Sequence, residues 1–351
     1  MAVKVGILGS AHGHVMTYGA VWANDPSLGI EIAGLYDHDA ERANQNAAAL
    51  KTVVKSLDDI LGDKEITAVV VSSETVYHCE LVEKAAAAGK AIICYKPMAL
   101  NLEQANRMVA AVEKYNVPFT LGYQMRVDDQ NIRMKKIIDE EELGKVFLYR
   151  RRHSLSTHTW AGFDKAWHTQ PELNRDIFAD DSAHPIDMLN WIFGVPESVM
   201  CEMSTMTNIK NDGGVALFKY PNGMIAEISC YFMASAAEIT TEIYCADGSV
   251  AQYYGDAVSA SKPRPEGLTG LKWYKNGDAD WTDSNIPSPP AHGERIKAQA
   301  YPFAQFLKGE RGPICSVYEA RDSLRMVLAC YVSVAEGRRV RLDDPAIDRI
   351  V

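Results

Sequence analysis

Short runs of β-branched residues alternate with segments of helical pattern over the first third of the chain. The runs predict strands at residues 3–8, 30–36, 68–71, 91–94 and 118–122. The segments between them carry helical patterns at residues 40–50, 77–88 and 102–115, with Asn101 as the expected N-cap of the last and Gly89 as the stop of the second. Near-continuous apolar strands that alternate with helices are typical of a parallel sheet covered on both faces. The pattern therefore favours an α/β, doubly wound first domain.

The pattern changes near residue 125, where strands come to dominate. A helical stretch at 130–142 precedes predicted strands at 146–155, 198–206, 214–220, 224–232 and 238–245. The sequence Pro221-Asn222-Gly223 predicts a tight turn, so this part is expected to be antiparallel. We expect a long surface loop at 259–293 with one short strand near Leu271, followed by closing helices at 294–307 and 317–335.

These patterns predict two domains, as the length of 351 residues also does. The first, residues 1–124, is predicted to be a Rossmann domain with a doubly wound parallel sheet. The second, residues 125–351, is predicted to be an α+β domain with a large open, mainly antiparallel sheet, and its last helix is expected to pack back on the first domain. The second domain would bind substrate and form the oligomer.

Composition and charge exclude several classes of protein. The net charge of −10 disfavours nucleic acid as a partner. The basic run Arg150-Arg151-Arg152 lies in a predicted strand, where alternate side chains face opposite ways and form no single patch. Seven scattered cysteines without a C-x-x-C pair predict buried, reduced thiols and no metal site. With neither a signal peptide nor a membrane-spanning apolar stretch, we expect a cytoplasmic protein without a membrane partner.

The turn after the first predicted strand has the position of a dinucleotide-binding glycine motif. Its residues are Gly9, Ser10, Ala11, His12, Gly13 and His14. Only the first glycine of G-x-G-x-x-G is matched, and Gly13 stands at a shifted place. Small residues here would let the backbone approach a pyrophosphate at a helix N-terminus. The alternative is a glycine that serves only the packing of a strand–helix turn.

An acid follows the second predicted strand at the spacing expected for ribose binding. Asp37 lies 37 − 14 = 23 positions after His14. A carboxylate there would accept hydrogen bonds from the hydroxyls of the adenosine ribose and repel a 2′-phosphate, so NAD is favoured over NADP. The alternative is that Asp37 merely begins the turn before the next helix.

Several further motifs occur in one order along the chain. They are Ser72 to His78 after the third strand, Tyr95-Lys96-Pro97 after the fourth, Gly122-Tyr123-Gln124-Met125-Arg126, Asp180-Asp181-Ser182-Ala183-His184-Pro185-Ile186-Asp187, and the closing residues 320–342. Together they resemble the glucose–fructose oxidoreductase and inositol dehydrogenase (Gfo/Idh/MocA) family along nearly the whole chain. The chain departs from the family pattern at Tyr95, where the family has Glu, and at Ser182, where it has Gly.

The resemblance implies a set of site residues. The implied catalytic residues are Lys96, Asp180 and His184. The implied cofactor contacts include Ser72, Ser73, His78, Tyr95 and Lys96 beside the glycine turn and Asp37. The implied substrate contacts are Lys96, Arg126, Trp167, Asp180 and His184.

The residue types suit the oxidation of an alcohol. A base that titrates near neutrality can take the hydroxyl proton, and histidine is the default residue for that role. Asp180 is four residues from His184, so the two would share a helical face. Lys96 would stabilise alkoxide character or act as the base itself. From spacing alone, however, Asp180 to Ser182 could simply cap a helix, His184 could be a partly buried histidine, and Lys96 could be a surface lysine.

The predicted function is an NAD-dependent oxidoreductase that transfers a hydride between nicotinamide and a secondary alcohol of a sugar, cyclitol or related polyol. One alternative is a dinucleotide-sensing regulatory protein without turnover. Another is a glycosidase-like enzyme of the same fold that retains NAD. Relatives cover the open sheet in oligomers, so the resemblance implies a homodimer or homotetramer whose partner is otherwise a small-molecule substrate.

Overall fold

The computed structural model describes residues 2–255, 262–291 and 293–350. The chain forms two compact units. The first contains the residues up to Gln124 together with Ile296–Arg321, and the second contains Met125–Arg295 together with the residues from Asp322 onward.

The first unit is built on a parallel sheet of five strands. These are β1 (Val3–Leu8), β2 (Ile30–Tyr36), β3 (Ile66–Val71), β4 (Ala91–Cys94) and β5 (Phe119–Leu121). Their order is β2-β1-β3-β4-β5, and every neighbouring pair is parallel. The order reverses between β1 and β3, so the turns after these two strands meet at a topological switch point, where such sheets bind ligands. The predicted doubly wound sheet is confirmed.

Helices connect these strands. They are α1 (His14–Asn24), α2 (Ala40–Ala49), α3 (Leu57–Gly62), α4 (His78–Ala87) and α5 (Leu102–Tyr115). The Asn101 side chain caps α5 by accepting a hydrogen bond from the backbone N–H of Gln104. Gly89 has a φ of 69°, which ends α4 in the left-handed region that glycine reaches without strain. Both predicted helix boundaries are confirmed.

The second unit is built on a sheet of nine strands. These are β6 (Val146–Ser154), β7 (Ser198–Ser204), β8 (Gly213–Lys219), β9 (Ile225–Tyr231), β10 (Thr240–Cys245), β11 (Gly248–Gln252), β12 (Leu271–Lys275), β13 (Thr282–Asp283) and β14 (Val340–Arg341). The order is β13-β12-β11-β10-β6-β9-β8-β7-β14, and only the β6–β9 pair is parallel within the described residues. The expected open, mainly antiparallel sheet is confirmed.

The predicted loop at 259–293 is more regular than expected. The short strand near Leu271 is β12, which pairs with β11, and a second short strand, β13, extends the sheet edge. No strand was predicted at β11. Its five residues follow β10 after a turn of only two residues, so the two strands form a tight hairpin. Positions 259–261 and 292 lie outside the described residues.

Strand β6 sorts its side chains between two faces. Arg151 and His153 are buried, whereas Arg150 and Arg152 are exposed. Arg150 lies 3.4 Å from Glu227 and 3.2 Å from Glu242 on the neighbouring strands. The basic run is therefore divided between interior and surface, as the alternation of a strand predicts.

Seven further α-helices follow β5 in the described residues. Four precede β7 and three follow β13: α6 (Asp129–Asp139), α7 (Pro171–Asn174), α8 (Ile177–Asp181), α9 (Ala183–Phe193), α10 (Glu294–Ala298), α11 (Ala300–Leu307) and α12 (Val317–Glu336). The single helix predicted at 294–307 is wrong: it is divided at Gln299. Pro302 lacks the N–H that would continue the ladder, so a new helix begins just before it.

All seven cysteines are buried and free. Among the helices of the described residues, none combines the length and apolar character needed to span a bilayer.

Candidate active site

The turn after β1 packs closely against the turn after β3 and is hydrogen-bonded to it. Gly9 has a φ of 79°, and a Cβ atom on it would lie 2.4 Å from Cβ of Ser73. The hydroxyl of Ser72 donates to the carbonyl of Gly9 at 2.6 Å, and the N–H of His12 donates to the carbonyl of Ser72 at 2.9 Å. Glycine is thus required at position 9 by both the backbone angle and the close approach of Ser73.

The next glycine has a different surrounding. Gly13 precedes α1, which has 11 residues, and supplies no side-chain cap. A Cβ atom on Gly13 would meet no heavy atom within 4 Å. Open space therefore borders the first turn of α1, whose N–H groups and dipole favour an anion. This arrangement fits the pyrophosphate of a dinucleotide.

The carboxylate of Asp37 is occupied by neighbours in the chain. It accepts hydrogen bonds from the N–H and hydroxyl of Ser10, from the N–H of Asp39, and from two nitrogens of Arg42, at 2.7–3.0 Å. Burial by itself would raise the pKa of Asp37, but the bonds from Arg42, Asp39 and Ser10 outweigh it and lower the pKa. Asp37 is thus a fixed anion that ties Ser10 of the glycine turn to α2.

A second carboxylate, that of Glu74, also binds the guanidinium group of Arg42. Arg42 donates to Oε1 of Glu74 at 2.9 Å, and Glu74 is only 4% exposed. The ring of His38 lies 3.6 Å from Asp37 and 3.7 Å from Glu74. Glu74, Arg42 and His38 were not predicted from the sequence as members of this cluster.

A cavity lies beside this cluster at the ends of β1, β2 and β3. Its volume is about 170 Å³, and its walls include Gly9, Tyr36, His38, Ser73 and Tyr77. The rings of His38 and Tyr77 are 4.8 Å apart. Flat aromatic walls with polar neighbours suit a purine base.

Tyr95 belongs to an aromatic cluster in the first unit. Its ring is 4.9 Å from that of His12, 5.6 Å from that of His14, and stacked at 5.7 Å on that of Tyr18. Its hydroxyl donates to Oε1 of Gln299 at 2.8 Å. Burial raises the pKa of Tyr95 well above its usual value, so the phenol stays neutral beside Lys96.

His78 connects two turns at the sheet edge. Its Nδ1 lies 2.9 Å from the carbonyl oxygen of Pro97, and its Nε2 lies 3.1 Å from that of Ser73. The ring is fully buried, and burial lowers its pKa, which the facing carbonyls only partly oppose. Lys96, which is 3% exposed, precedes Pro97 through a cis peptide bond. His78 therefore fixes the segment that carries Lys96.

The second unit brings together the acidic and histidine residues of the Asp180–Asp187 motif. The amide of Asn174 donates to Asp180 at 2.9 Å. Asp181 lies 3.2 Å from Nε2 of His153 and, with its other oxygen, 3.7 Å from Nε2 of His184. These groups are buried or nearly so. Asp181, for which the sequence suggested only helix capping, is thus a carboxylate partner of His184.

The local chain geometry explains this pairing. Helix α8 ends at Asp181 and α9 begins at Ala183, with Ser182 between them. Ser182 makes no side-chain cap, so the reading of this segment as a simple helix cap is not supported. The i, i+3 spacing of Asp181 and His184 was the available signal for their contact.

His153 reaches this cluster from β6. It is fully buried, and burial lowers its pKa, although the neighbouring Asp181 raises it. A neutral imidazole is therefore favoured at His153, with one nitrogen directed to Asp181.

Two other predicted substrate residues have partners in the second unit. Arg126 donates two hydrogen bonds to Asp187, at 2.7 and 2.8 Å, and Ser323 donates to the same carboxylate at 2.8 Å. Both Arg126 and Asp187 are buried. Trp167 stacks on His168 with ring centroids 3.9 Å apart and stays partly exposed.

The described part of the chain contains no group of three or more His, Cys, Asp or Glu side chains that could hold a metal ion.

Comparison with known proteins identifies the family of this chain. Residues 3–123 match a family model described as an oxidoreductase family with an NAD-binding Rossmann fold, and residues 132–251 match the GFO/IDH/MocA C-terminal domain. The 1,5-anhydro-D-fructose reductase of Ensifer adhaerens is 24% identical over 90% of this chain and 92% of its own length. The D-apiose dehydrogenase of Paraburkholderia graminis is 25% identical over 90% of this chain and 84% of its own length.

Solved structures share the fold. A levoglucosan dehydrogenase in complex with NADH and levoglucosan has a TM-score of 0.81 at 20% identity, and the match covers 98% of this chain and all of that one. A putative myo-inositol dehydrogenase from Sinorhizobium meliloti has a TM-score of 0.77 at 23% identity over 97% of this chain and all of its own. The family models cover more than half of the chain, and the chain therefore belongs to the Gfo/Idh/MocA family of oxidoreductases, with an NAD-binding Rossmann domain at residues 3–123.

Proposed function

We propose that this chain is an NAD-dependent dehydrogenase that oxidises a secondary alcohol of a sugar, cyclitol or related polyol. The observation that carries the proposal is the buried cluster of His184, Asp181 and His153 in an oxidoreductase of this family. Relatives named as sugar and polyol reductases or dehydrogenases support the substrate class.

Bound NAD would accept the hydride, which leaves the carbinol carbon with both electrons of its C–H bond. Gly9 and Gly13, with the N-terminal turn of α1, would hold its pyrophosphate. The turn after β3, at Ser72 and Ser73, would border the dinucleotide at the switch point.

His184 would take the hydroxyl proton of the substrate. The O–H bond breaks, the proton goes to the imidazole, and the oxygen is left to form the carbonyl as the hydride departs. Asp181, 3.7 Å away, would stabilise the resulting imidazolium. Asp180, which accepts a hydrogen bond from Asn174, would also accept one from a hydroxyl group of the substrate.

Lys96 would stabilise the developing negative charge on the substrate oxygen. Its ammonium is a compact cation with three donors, and its burial keeps competing water away. Tyr95, a neutral phenol bonded to Gln299, contributes no charge next to it.

Trp167 would contact the apolar face of the sugar ring, because aromatic faces pack against C–H groups. Arg126 would act through Asp187, since two of its donors are already engaged by that carboxylate.

A screen of inositols, hexoses and their lactones with free NAD would test the proposal. We expect steady NADH formation with at least one substrate, and we expect Lys96→Ala and His184→Ala each to reduce kcat/KM by at least about a hundredfold. Lys135→Ala, which removes a surface lysine paired with Asp139, is the matched control and should keep the full rate. If NAD binds but no substrate produces NADH, or if both site variants keep the full rate, the proposal is wrong.

A further inference from the structure

We propose that His153 is a positioning residue for the proton transfer, because it holds the carboxylate of Asp181 just outside hydrogen-bonding distance of His184. The inference rests on the proposed role of His184 as the base. It gives His153, which is fully buried on β6, a function that is exerted through Asp181.

The position of the proton on His153 follows from the surroundings of its ring. Its Nε2 lies 3.2 Å from Oδ2 of Asp181, while its Nδ1 is buried and has no hydrogen-bonding partner among the described residues. Two lone pairs repel each other at this distance, so the proton lies on Nε2. A second proton on Nδ1 would leave a buried N–H without an acceptor. His153 is therefore a neutral donor to Asp181.

The charges around His153 favour the same neutral state. Burial lowers the pKa of His153, Asp181 raises it, and the cations of Arg151 and Arg295 lower it again. Both arginines are themselves buried. The thiol of Cys230 on β9 adds no charge near Asp181, because burial raises its pKa to about 12. The hydrogen bond from His153 to Asp181 therefore persists at neutral pH.

The other oxygen of Asp181 stops short of His184. Oδ1 lies 3.7 Å from Nε2 of His184, beyond the usual hydrogen-bonding range of about 2.7–3.2 Å. A movement of roughly half an ångström would turn this contact into a charge-assisted hydrogen bond. His153 opposes the movement, since its own bond to Oδ2 would lengthen.

This restraint has a consequence for the base. At its present distance Asp181 stabilises an imidazolium at His184 by charge alone. A direct hydrogen bond would raise the pKa of His184 and keep it in the protonated form, which cannot accept a proton from the next substrate. His153 thus keeps His184 suited to both uptake and release of the proton.

Two further carboxylates flank His184 in the sequence. Asp180 on α8 accepts a hydrogen bond from Asn174, and Asp187 on α9 is paired with Arg126 at 2.7 Å. Neither bond involves Asp181, so removal of the His153 donor leaves both of them in place. A change in the titration of His184 after that removal would therefore report on Asp181.

An NMR titration of His184 in the full-length protein, labelled with ¹³C-histidine, would test the proposal, with His184→Gln to identify its signal. His153→Phe removes the donor, so the midpoint of the His184 titration should rise by about one pH unit or more, as a charge-assisted hydrogen bond implies. His153→Gln retains an N–H donor and should keep the midpoint within roughly 0.3 unit of the wild type. The exposed His158→Gln is the control and should leave the midpoint unchanged.

Kinetics give a second measurement that a loss of structure alone would not produce. With the substrate found in the screen, the acid limb of the kcat profile of His153→Phe should move to higher pH by the same amount, with full recovery of kcat at high pH and little change in KM. In an Asp181→Asn background, His153→Phe should shift neither the profile nor the titration, because there is no carboxylate left to release.

The outcomes separate this inference from the proposed function. An unchanged titration of His184 in His153→Phe, or an equal shift in the Asp181→Asn background, would overturn the inference. If no substrate yields NADH, the dehydrogenase proposal fails, whereas the NMR titration still decides whether His153 holds Asp181 away from His184. Thermal unfolding verifies that each variant is folded.

A measurement on the wild type covers the case in which His153→Phe does not fold. The ¹⁵N shifts of His153 between about pH 6 and about pH 8 should show a neutral ring with its proton on Nε2. A proton on Nδ1, in either a neutral or a charged ring, would overturn the inference.

Discussion

Asp181 Oδ2 lies 3.2 Å from Nε2 of the fully buried His153. The other oxygen of Asp181 faces His184 at 3.7 Å, so one carboxylate serves two imidazoles. His153 fixes the orientation of this carboxylate from β6, while His184 presents its ring from α9. The candidate base therefore depends on a strand and a helix that are far apart in sequence.

Asp181→Asn should lower kcat by roughly tenfold to a hundredfold with little change in KM. The amide carries no negative charge, so the imidazolium that forms when His184 accepts the proton loses its counter-charge. Initial rates with the substrate found in the screen would measure the effect. Asp139→Asn, a surface acid of α6 paired with Lys135, is the control. An unchanged kcat in Asp181→Asn would show that this carboxylate has no part in proton transfer.

Arg126→Met should reduce the free energy of unfolding by about 3–5 kcal/mol, because it leaves the buried carboxylate of Asp187 without its cation. The double variant Arg126→Met/Asp187→Leu should lose less than the sum of the single variants, since the stranded charge is removed. Urea unfolding would measure all three. A higher KM for Arg126→Met with unchanged stability would instead indicate that Arg126 contacts the substrate directly.

The sequence could predict the strand–helix alternation because apolar periodicity is a local property. It could not predict Glu74, because its contact with Arg42 depends on β3 lying beside β1 in the sheet. Asp37 was correctly placed at the end of β2, but the donors that surround it were not foreseen. Asp181 and His184 have the i, i+3 spacing that signals a contact, but the break between α8 and α9 at Ser182 could not be predicted from the apolar pattern.

Gly9→Ala and Gly13→Ala should have different consequences. Gly9→Ala should destabilise the protein by roughly 2 kcal/mol or more, because its φ of 79° and the contact with Ser73 both oppose a side chain. Gly13→Ala should change the free energy of unfolding by less than about 1 kcal/mol. It should nevertheless weaken NAD binding, because its methyl group enters the space that the pyrophosphate would use. Urea unfolding and NAD titration would check both. Unchanged NAD affinity in Gly13→Ala would place the pyrophosphate elsewhere.

Tyr95→Phe should lower the free energy of unfolding by about 1 kcal/mol, because Oε1 of the buried Gln299 loses its donor. The ring contacts with His12 and Tyr18 remain in this variant. Tyr115→Phe, at an exposed position of α5, is the control and should change stability by less than about 0.5 kcal/mol. Equal stabilities of wild type and Tyr95→Phe would contradict a contribution from this hydrogen bond.

His78 should make the protein less stable in acid. Burial lowers its pKa below the unfolded value of about 6.5, so the unfolded chain takes up the proton first as the pH falls. Stability is therefore complete above about pH 6.5 and is lost as the pH falls from there toward the folded pKa. Between about pH 7.5 and about pH 5.5, the wild type should lose roughly 1 kcal/mol more than His78→Gln. Urea unfolding at both pH values measures this difference, and the exposed His158→Gln should behave like the wild type. Equal losses in wild type and His78→Gln would contradict the assignment.

The helix boundary at Gln299 shows why element ends were harder to predict than elements. The apolar pattern of 294–307 is continuous, but Pro302 and the burial of Gln299 against Tyr95 decide where the chain breaks. Both effects depend on individual atoms, the missing N–H of Pro302 and the amide oxygen of Gln299, and the periodicity of apolar residues does not reveal them.

Strand β6 carries one further consequence for how this chain tolerates change. Its side chains alternate so that His153 and Arg151 point inward, whereas Arg150 and Arg152 are exposed and Arg150 pairs with the acids of the neighbouring strands. One residue inserted into β6 would exchange these two sets, moving the imidazole into water and two guanidinium groups into the interior. We therefore expect changes in chain length to be tolerated only in the loops that flank β6, because the buried position of His153 and the ion pairs of Arg150 depend on one register.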